Sequence, residues 1–393
     1  MLRGTVAFLV LVAFAVLGTE LRAAISRRGL RAPAMEGILF LAVGFALGGR
    51  GLGLFPADVL ANLRVVVLFG LGWIGLVFGI QIDLRVLRRL SIRHRSLGLL
   101  TPLFLGIPVT LGGVAFGLSG TLSFGLGAVA MASSPSFLEA LARERRIRDR
   151  DAVGVLKLVM AFAGIPAVLL FTLAAAVASP LGDPRGGGLP AWQLMFLTMA
   201  VGVVVGYSLV VLVRGVHEHI HLLTLAVGTV CLIAGATSVL GLSALPAAAF
   251  AGAVLVNRAV FPHRMLRVAH SLERPMLVAL LVLVGASWEG ARFALPVFLL
   301  LTVVRMTGAV AAGVFIGWAM HYPRVTRRRP GLGWGLLQQG ELALGLLVAI
   351  VSSFAPLPGV LEAVLAALVV NNLVGGWWMR RRLASGNRRK AAA

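Results

Sequence analysis

The sequence predicts an all-α polytopic membrane protein of about 13 transmembrane helices, arranged as two inverted six-helix repeats with crossed broken helices. Three observations predict it. The chain of 393 residues is 59% hydrophobic and 13% charged, with a mean hydropathy of +0.97, and no soluble domain of that length could bury so many long apolar runs. Its arginines gather in short loops after alternate runs, the bias that orients membrane helices. Two of the runs, at corresponding places in the two halves, are interrupted by polar residues. In a bilayer such interruptions survive only where the freed backbone faces protein or a water-filled cavity.

The runs lie at about 4–19, 33–50, 62–81, 97–118, 121–141, 152–178, 191–213, 219–240, 243–257, 273–288, 293–319, 332–351 and 358–379. The first follows a basic residue, as a signal peptide would. It lacks a small-x-small cleavage site, so an uncleaved helix is expected. The second and ninth are short and rich in Gly or Ala, consistent with tilted or partly re-entrant segments; Glu36 sits near an end of the second. The third closes on Gln81 and Asp83, where Asp83 can pair with the arginines that follow. The fifth contains Ser133-Ser134-Pro135, either an unwound stretch or an ordinary kink. Lys157 near the start of the sixth suits a snorkelling side chain. Before the eighth, His217-Glu218-His219 and His221 have a spacing that a metal could use, but a wet loop explains it as well. Cys231, the single cysteine, excludes an intramolecular disulfide and reads as a small core side chain. Asn257 ends the ninth run, Arg305 lies centrally in the eleventh, and Gln338-Gln339-Gly340-Glu341 breaks the twelfth. Asn371 and Asn372 fall in the thirteenth, where amides can satisfy backbone groups.

The arginine-rich loops, such as those around Arg27, Arg88, Arg145, Arg264 and Arg327, alternate with loops that hold little beyond Arg50, Arg64, Arg185 and Arg292. By the positive-inside bias the N-terminus is outside and the C-terminus cytoplasmic. The chain then divides into a first repeat at 1–178, a linker helix at 191–213, a second repeat at 219–380 and a basic cytoplasmic tail at 381–393, all within one transmembrane transporter domain, 1–393. The net charge of +22 is dispersed through short loops, which argues against nucleic acid as a partner. Little sequence lies outside the runs, so neither an enzyme active site nor a cofactor is expected.

Polar groups at membrane depth are few, and each bears on chemistry. A buried Arg305 is expensive without a partner; it serves either as a cation at a substrate site or as a clamp on helix-end carbonyls. Glu341 can bind a cation or proton, or hold the break by pairing with a basic residue. Ser133, Ser134 and Gln339 can offer oxygens at the breaks.

The stretches GLVFGIQIDLRVLRRL (75–90), AVAMASSPSFLEAL (128–141), FAGIPAVLLF (162–171) and GLLQQGELALGLL (335–347), in that order, resemble the monovalent cation:proton antiporter superfamily, most closely the membrane part of glutathione-gated potassium efflux systems. The resemblance implies a homodimer with elevator-like exchange of Na⁺ or K⁺ for H⁺, and the expected location is the cell membrane, as an inner-membrane protein. It maps substrate or ion binding to Ser133, Ser134, Gln339, Glu341 and Arg305, with Gln81 as a secondary position; Lys157 and Asp83 are secondary candidates from their own placement, and no metal centre is expected. It also exposes a departure: the family's helix-6 aspartate falls on Gly164, with Ala163 before it, and the acid often found at the end of the third helix falls on Gln81. A single-carboxylate exchanger needs cation and proton to compete for one negative group, and Gly164 cannot supply it. Either Glu341 takes that role, or the chain moves another solute, or exchange is lost; the leading reading is a monovalent cation:proton antiporter. The alternatives are an anion or small-solute carrier on the same scaffold, or a non-transporting membrane partner or sensor. Gating by a soluble nucleotide-binding domain would need a separate cytoplasmic regulatory subunit.

Overall fold

The computed structural model of the protein describes residues 8–14, 33–49, 51–144, 150–179, 181, 188–213, 218–258, 262–288, 293–320, 331–354 and 359–383. Among these residues the regular secondary structure is helical, apart from an isolated bridge between Gly48 and Phe55. That is the expected outcome for apolar segments in lipid, where each backbone N–H and C=O needs a partner within its own segment. In chain order the helices are α1 (8–14), α2 (Pro33–Leu47), α3 (Ala57–Asn62), α4 (Arg64–Ile80), α5 (Leu84–Arg89), α6 (Ile92–Leu100), α7 (Leu103–Ala115), α8 (Gly120–Met131) and α9 (Ser136–Glu144). They continue as α10 (Arg150–Ala178), α11 (Ala191–Val213), α12 (His219–Val239), α13 (Ala244–Arg258), α14 (Pro262–Ala286), α15 (Leu295–Leu299), α16 (Arg305–Ala319), α17 (Glu341–Ser353) and α18 (Val360–Arg382).

Among the described residues, nine helical stretches are long and apolar enough to cross a membrane, and α13 and α17 are apolar but shorter. Each of the predicted apolar runs contains helix. The tenth run, expected at 273–288, is instead a helix from Pro262 to Ala286. Hydropathy misses its first turns because they carry Arg264 and Arg267. Helical periodicity marks them, with Met265, Val268 and Ala269 buried. The side chain of Glu36, the loops around Arg27, Arg145 and Arg327, His217 and the chain beyond 383 lie outside the described residues.

The chain forms two compact units, each drawing on both halves of the sequence. The first comprises residues 1–86, 171–292 and 344–359. Its core holds Trp73, Leu76, Ile80, Val230, Ile233 and Leu255, and the Trp73 indole N–H donates to the Ala269 carbonyl at 2.9 Å. Helices α4 and α13 touch backbone to backbone: a Cβ on Gly75 would lie 2.1 Å from the Leu245 oxygen and one on Gly79 2.0 Å from that of Ala249. Small residues allow that approach where no hydrophobic drive between helices exists. At the end of α4, Asp83 Oδ1 accepts from the Arg85 backbone N–H at 2.8 Å and lies 3.5 Å from its Nε, the pairing expected of it. Gln81 caps α4 from an exposed position. Asn257 donates to the carbonyls of Ile82 and Ala253 and accepts from the Leu84 N–H, so this amide does satisfy backbone.

Cys231 departs from expectation. It is exposed and lines a cavity of about 770 Å³ in this unit together with Phe8, Phe69, Ser238 and Met276. A helix in lipid is apolar on all sides, so hydropathy around a cysteine does not report burial. The second unit, residues 87–170, 293–343 and 360–393, packs Leu97, Leu138, Leu156, Ile316, Leu336 and Met379 into its core and contains both polar interruptions.

Candidate functional site: the crossed breaks

Helix α8 ends at Met131, and residues 132–135 are non-helical before α9 begins at Ser136. Ala132 is already extended, with ψ at 99°. Pro135 explains the break, since it disfavours helical backbone at Ser134 and brings no N–H of its own. The second interruption has no proline. A 3₁₀ turn, Leu332–Leu337, precedes it, Gln338 is extended with ψ at 121°, and α17 starts at Glu341. Both chain interruptions are thus non-helical, the second ending at Gly340 because Glu341 is already helical, and they meet: the Ser134 N–H donates to the Gln338 carbonyl at 2.9 Å.

Breaking a helix frees carbonyls, and a buried unpaired carbonyl costs about 1–3 kcal/mol. Because Ser133 and Ser134 turn away from α8, the carbonyls of Val129 and Ala130 lose their helical donors. Gln339 Nε2 donates to Val129 at 2.7 Å, and Arg305 Nε to Ala130 at 2.9 Å. At the end of the 3₁₀ turn, Arg305 Nη2 and Nη1 donate to the carbonyls of Leu336 and Leu337 at 3.0 and 3.1 Å. Ser133 Oγ adds a second bond to Leu336 at 2.7 Å. Asn372 closes the second break. Its Oδ1 accepts from the Gln339 N–H at 2.7 Å, and its Nδ2 donates to the Gln339 carbonyl at 3.2 Å. The Asn372 carbonyl accepts in turn from Gln338 Nε2 at 2.7 Å.

Arg305 is fully buried, the one charged side chain in that class among the described residues. Its guanidinium lies between two helical C-terminal ends, where carbonyl dipoles present partial negative charge. It is thus placed as a clamp on helix-end carbonyls. Just before it, Leu300–Val304 form a π-helical turn, and Asn371 Nδ2 donates to the Leu301 carbonyl within that turn at 2.8 Å. Hydropathy gives no sign of this turn.

The second unit thus brings together Ser133, Ser134, Gln339 and Arg305, with Glu341 directly after the break at the start of α17. Ser133 and Ser134 are each 9% exposed, and Ser134 Oγ lies 3.0 Å from Ser136 Oγ. Gly164 is buried on α10. Gln81 and Asp83 belong to the other unit. Lys157 does more than snorkel: its Nζ lies 2.8 Å from Glu139 Oε1, an acid in the first turn of α9. Sequence reasoning passed over Glu139, although an acid shortly after Ser-Ser-Pro matches Glu341 after Gln-Gln-Gly. It also underrated Asn372, whose amide bridges to a residue 33 positions away.

Comparison with known proteins bears on this arrangement. The fold is similar to a structure of the sodium proton antiporter MjNhaP1 from Methanocaldococcus jannaschii at pH 8, with a TM-score of 0.68 and 16% identity over 96% of this chain and 97% of that one. It is also similar to the structure from an electron-microscopy map of the same antiporter, with a TM-score of 0.61, 15% identity and 94% of each chain covered. At those identities the likeness is one of fold. No curated protein matches the sequence. The family model of the sodium/hydrogen exchanger transmembrane region matches residues 8–381. With almost the whole described chain matched, this protein belongs to the sodium/hydrogen exchanger family, whose members are membrane transporters and not enzymes.

Proposed function

We propose that the protein is a secondary transporter that exchanges a monovalent cation, Na⁺ or K⁺, for protons by elevator-like alternating access. The observation that carries this reading is the pair of breaks held together by Arg305, Gln339 and Ser133 in a chain of this family. A polar crossing at membrane depth is costly to keep, and in transporters such crossings surround the substrate. Ser133 and Ser134 hydroxyls keep acceptor lone pairs while donating, so they and nearby carbonyls can share a dehydrated cation. Glu341 is the acid at the break and our candidate proton carrier. Gly164 contributes space without charge, and Gln81, Asp83 and Lys157 act outside the central site.

The wider assignment follows the same reading. Repeats at 1–178 and 219–380 flank the linker 191–213, and the basic tail 381–393 is cytoplasmic. The protein acts as a homodimer in the cell membrane, and any nucleotide-sensing control comes from a separate subunit. Cysteines introduced at positions 185 and 327 are expected to label from opposite sides; labelling from one side refutes the orientation. An anion carrier is disfavoured by the three carbonyls that Arg305 already serves.

The test is flux in proteoliposomes carrying a pH-sensitive dye. Addition of NaCl or KCl should dissipate an imposed pH gradient, while choline chloride should not. Equal responses to all three salts overturn the exchange reading. Glu341→Gln should abolish the cation-specific response in folded protein, and full retention removes Glu341 as the proton carrier.

A further inference from the structure

The ion pair between Glu139 and Lys157 is unlike the other ion pairs described. Those between Asp83 and Arg85, Glu218 and His221, and His270 and Glu273 are local in sequence, whereas this one joins α9 to α10 with 2.8 Å between Nζ and Oε1. It lies one helical turn past the first break, since the Glu139 N–H donates to the Pro135 carbonyl at 2.9 Å. The side chains of Lys157 and Glu139 are 57% and 38% exposed, so protein encloses neither. A pair so exposed is weak, and a weak pair is readily exchanged.

The choice of lysine adds to this. The chain holds 36 basic residues, and all but Lys157 and Lys390 are arginine. An arginine opposite a carboxylate makes a planar, two-point contact that is hard to displace. A lysine presents a compact, strongly hydrated charge on a flexible stem. Of the two, the ammonium is the one that resembles a hydrated monovalent cation in size and charge. Another charge nearby is Arg380, whose guanidinium stands 5.4 Å from the Phe137 ring on the same helix as Glu139. Asp151 lies in the first turn of α10, six residues before Lys157. Glu139 is therefore a carboxylate held by a cation on a flexible stem, a partner that can leave.

We propose that Glu139 is a cation-binding station at the approach to the crossed breaks, and that Lys157 is its tethered competitor: a monovalent cation takes the carboxylate as the ammonium swings away. The inference rests on the exchange reading above and adds a second carboxylate to it. No covalent step is involved, and net charge at the station is conserved when one cation replaces another on Glu139 while the ammonium returns to solvent.

The test uses the full chain, with cation-dependent flux in proteoliposomes read beside the shift in thermal midpoint that NaCl or KCl produces over choline chloride in detergent. Lys157→Gln should lower the apparent KM for the cation about two- to fivefold, the range a weak competing pair allows, with kcat largely kept. Lys157→Arg should raise the apparent KM by a similar factor. Glu139→Gln should lose the cation-specific midpoint shift while remaining monodisperse, and Glu139→Asp should recover part of it. A merely structural pair predicts the opposite pattern: Lys157→Arg conservative, Lys157→Gln destabilising, and KM unmoved in both. Retention of the wild-type midpoint shift in Glu139→Gln overturns the proposal. If wild-type protein shows the midpoint shift but no flux, and Glu139→Gln loses the shift, the station stands and the exchange reading falls. If wild-type flux is normal and Glu139→Gln matches it, the station falls and the exchange reading stands. Wild-type protein with neither response overturns both.

Discussion

Replacing Arg305 with methionine removes a buried charge, and two opposing terms decide the sign. Taking an ion out of water is costly, so exchanging a buried ion pair for apolar residues can be neutral or even stabilising. That offset requires both partners to go. Here the partners are backbone carbonyls, which remain. Leu336 keeps its bond from Ser133 Oγ, so two carbonyls, those of Ala130 and Leu337, are left without the donor they now have. At about 1–3 kcal/mol for each orphaned group, the loss is about 2–6 kcal/mol, a large fraction of the roughly 5–15 kcal/mol that stabilises a folded domain. Methionine nearly fills the volume, so little cavity cost is added. The expected outcome is a fall in the thermal midpoint of about 5 °C or more, read by fluorescence unfolding and size-exclusion chromatography in detergent. Arg305→Lys should fall between, because one ammonium cannot span three carbonyls. A methionine variant whose midpoint stays within the error of wild type would show that the clamp is dispensable and would refute the reasoning.

Three further outcomes can be checked. A methyl group on Gly340 would lie 2.5 Å from Ser134 Oγ and 2.6 Å from its Cβ, so Gly340→Ala should cost about 1–3 kcal/mol of stability by overpacking; adding Ser134→Gly should restore most of it, and an unchanged midpoint in the single variant contradicts the close crossing. Asn372→Leu strips the acceptor from the Gln339 N–H and the donor from its carbonyl, and should cost about 2–4 kcal/mol; Asn372→Asp keeps the acceptor and should recover part of the loss in the same melts. Cys231 should react faster with a membrane-permeant maleimide than with a sulfonated impermeant one in intact vesicles, and equal rates would place it in water.

The membrane class and the positions of both breaks were legible in the sequence because their causes are local. Pro135 disfavours helical backbone at the residue before it, and Gln338-Gln339 cannot face lipid unpaired. The partners of the break were not legible, because they come from afar. Arg305 reaches Ala130 across 175 positions, and hydropathy gives its depth without saying what it touches. Lys157 reads as a snorkelling end residue until α9 folds back and sets Glu139 against it. Cys231 fails for a different reason, since α12 is apolar on faces that meet lipid as well as on those that meet protein.

The π-helical turn at Leu300–Val304 has a consequence for how the sequence can change length. Such a turn holds one residue more than the α-helical path it replaces. It therefore separates two requirements on a single segment: the apolar stretch before it keeps its own facing, while Arg305 after it is rotated independently onto the carbonyls. Removing one residue from the turn would join the two into one regular helix and swing the arginine by about 100° relative to the preceding face, the angular step of an α-helix. The stretch would then read as hydrophobic as before and only one residue shorter, yet the crossing would lose its cation. Between members of a family with this architecture, a one-residue gap near position 302 is thus a more consequential change than many substitutions.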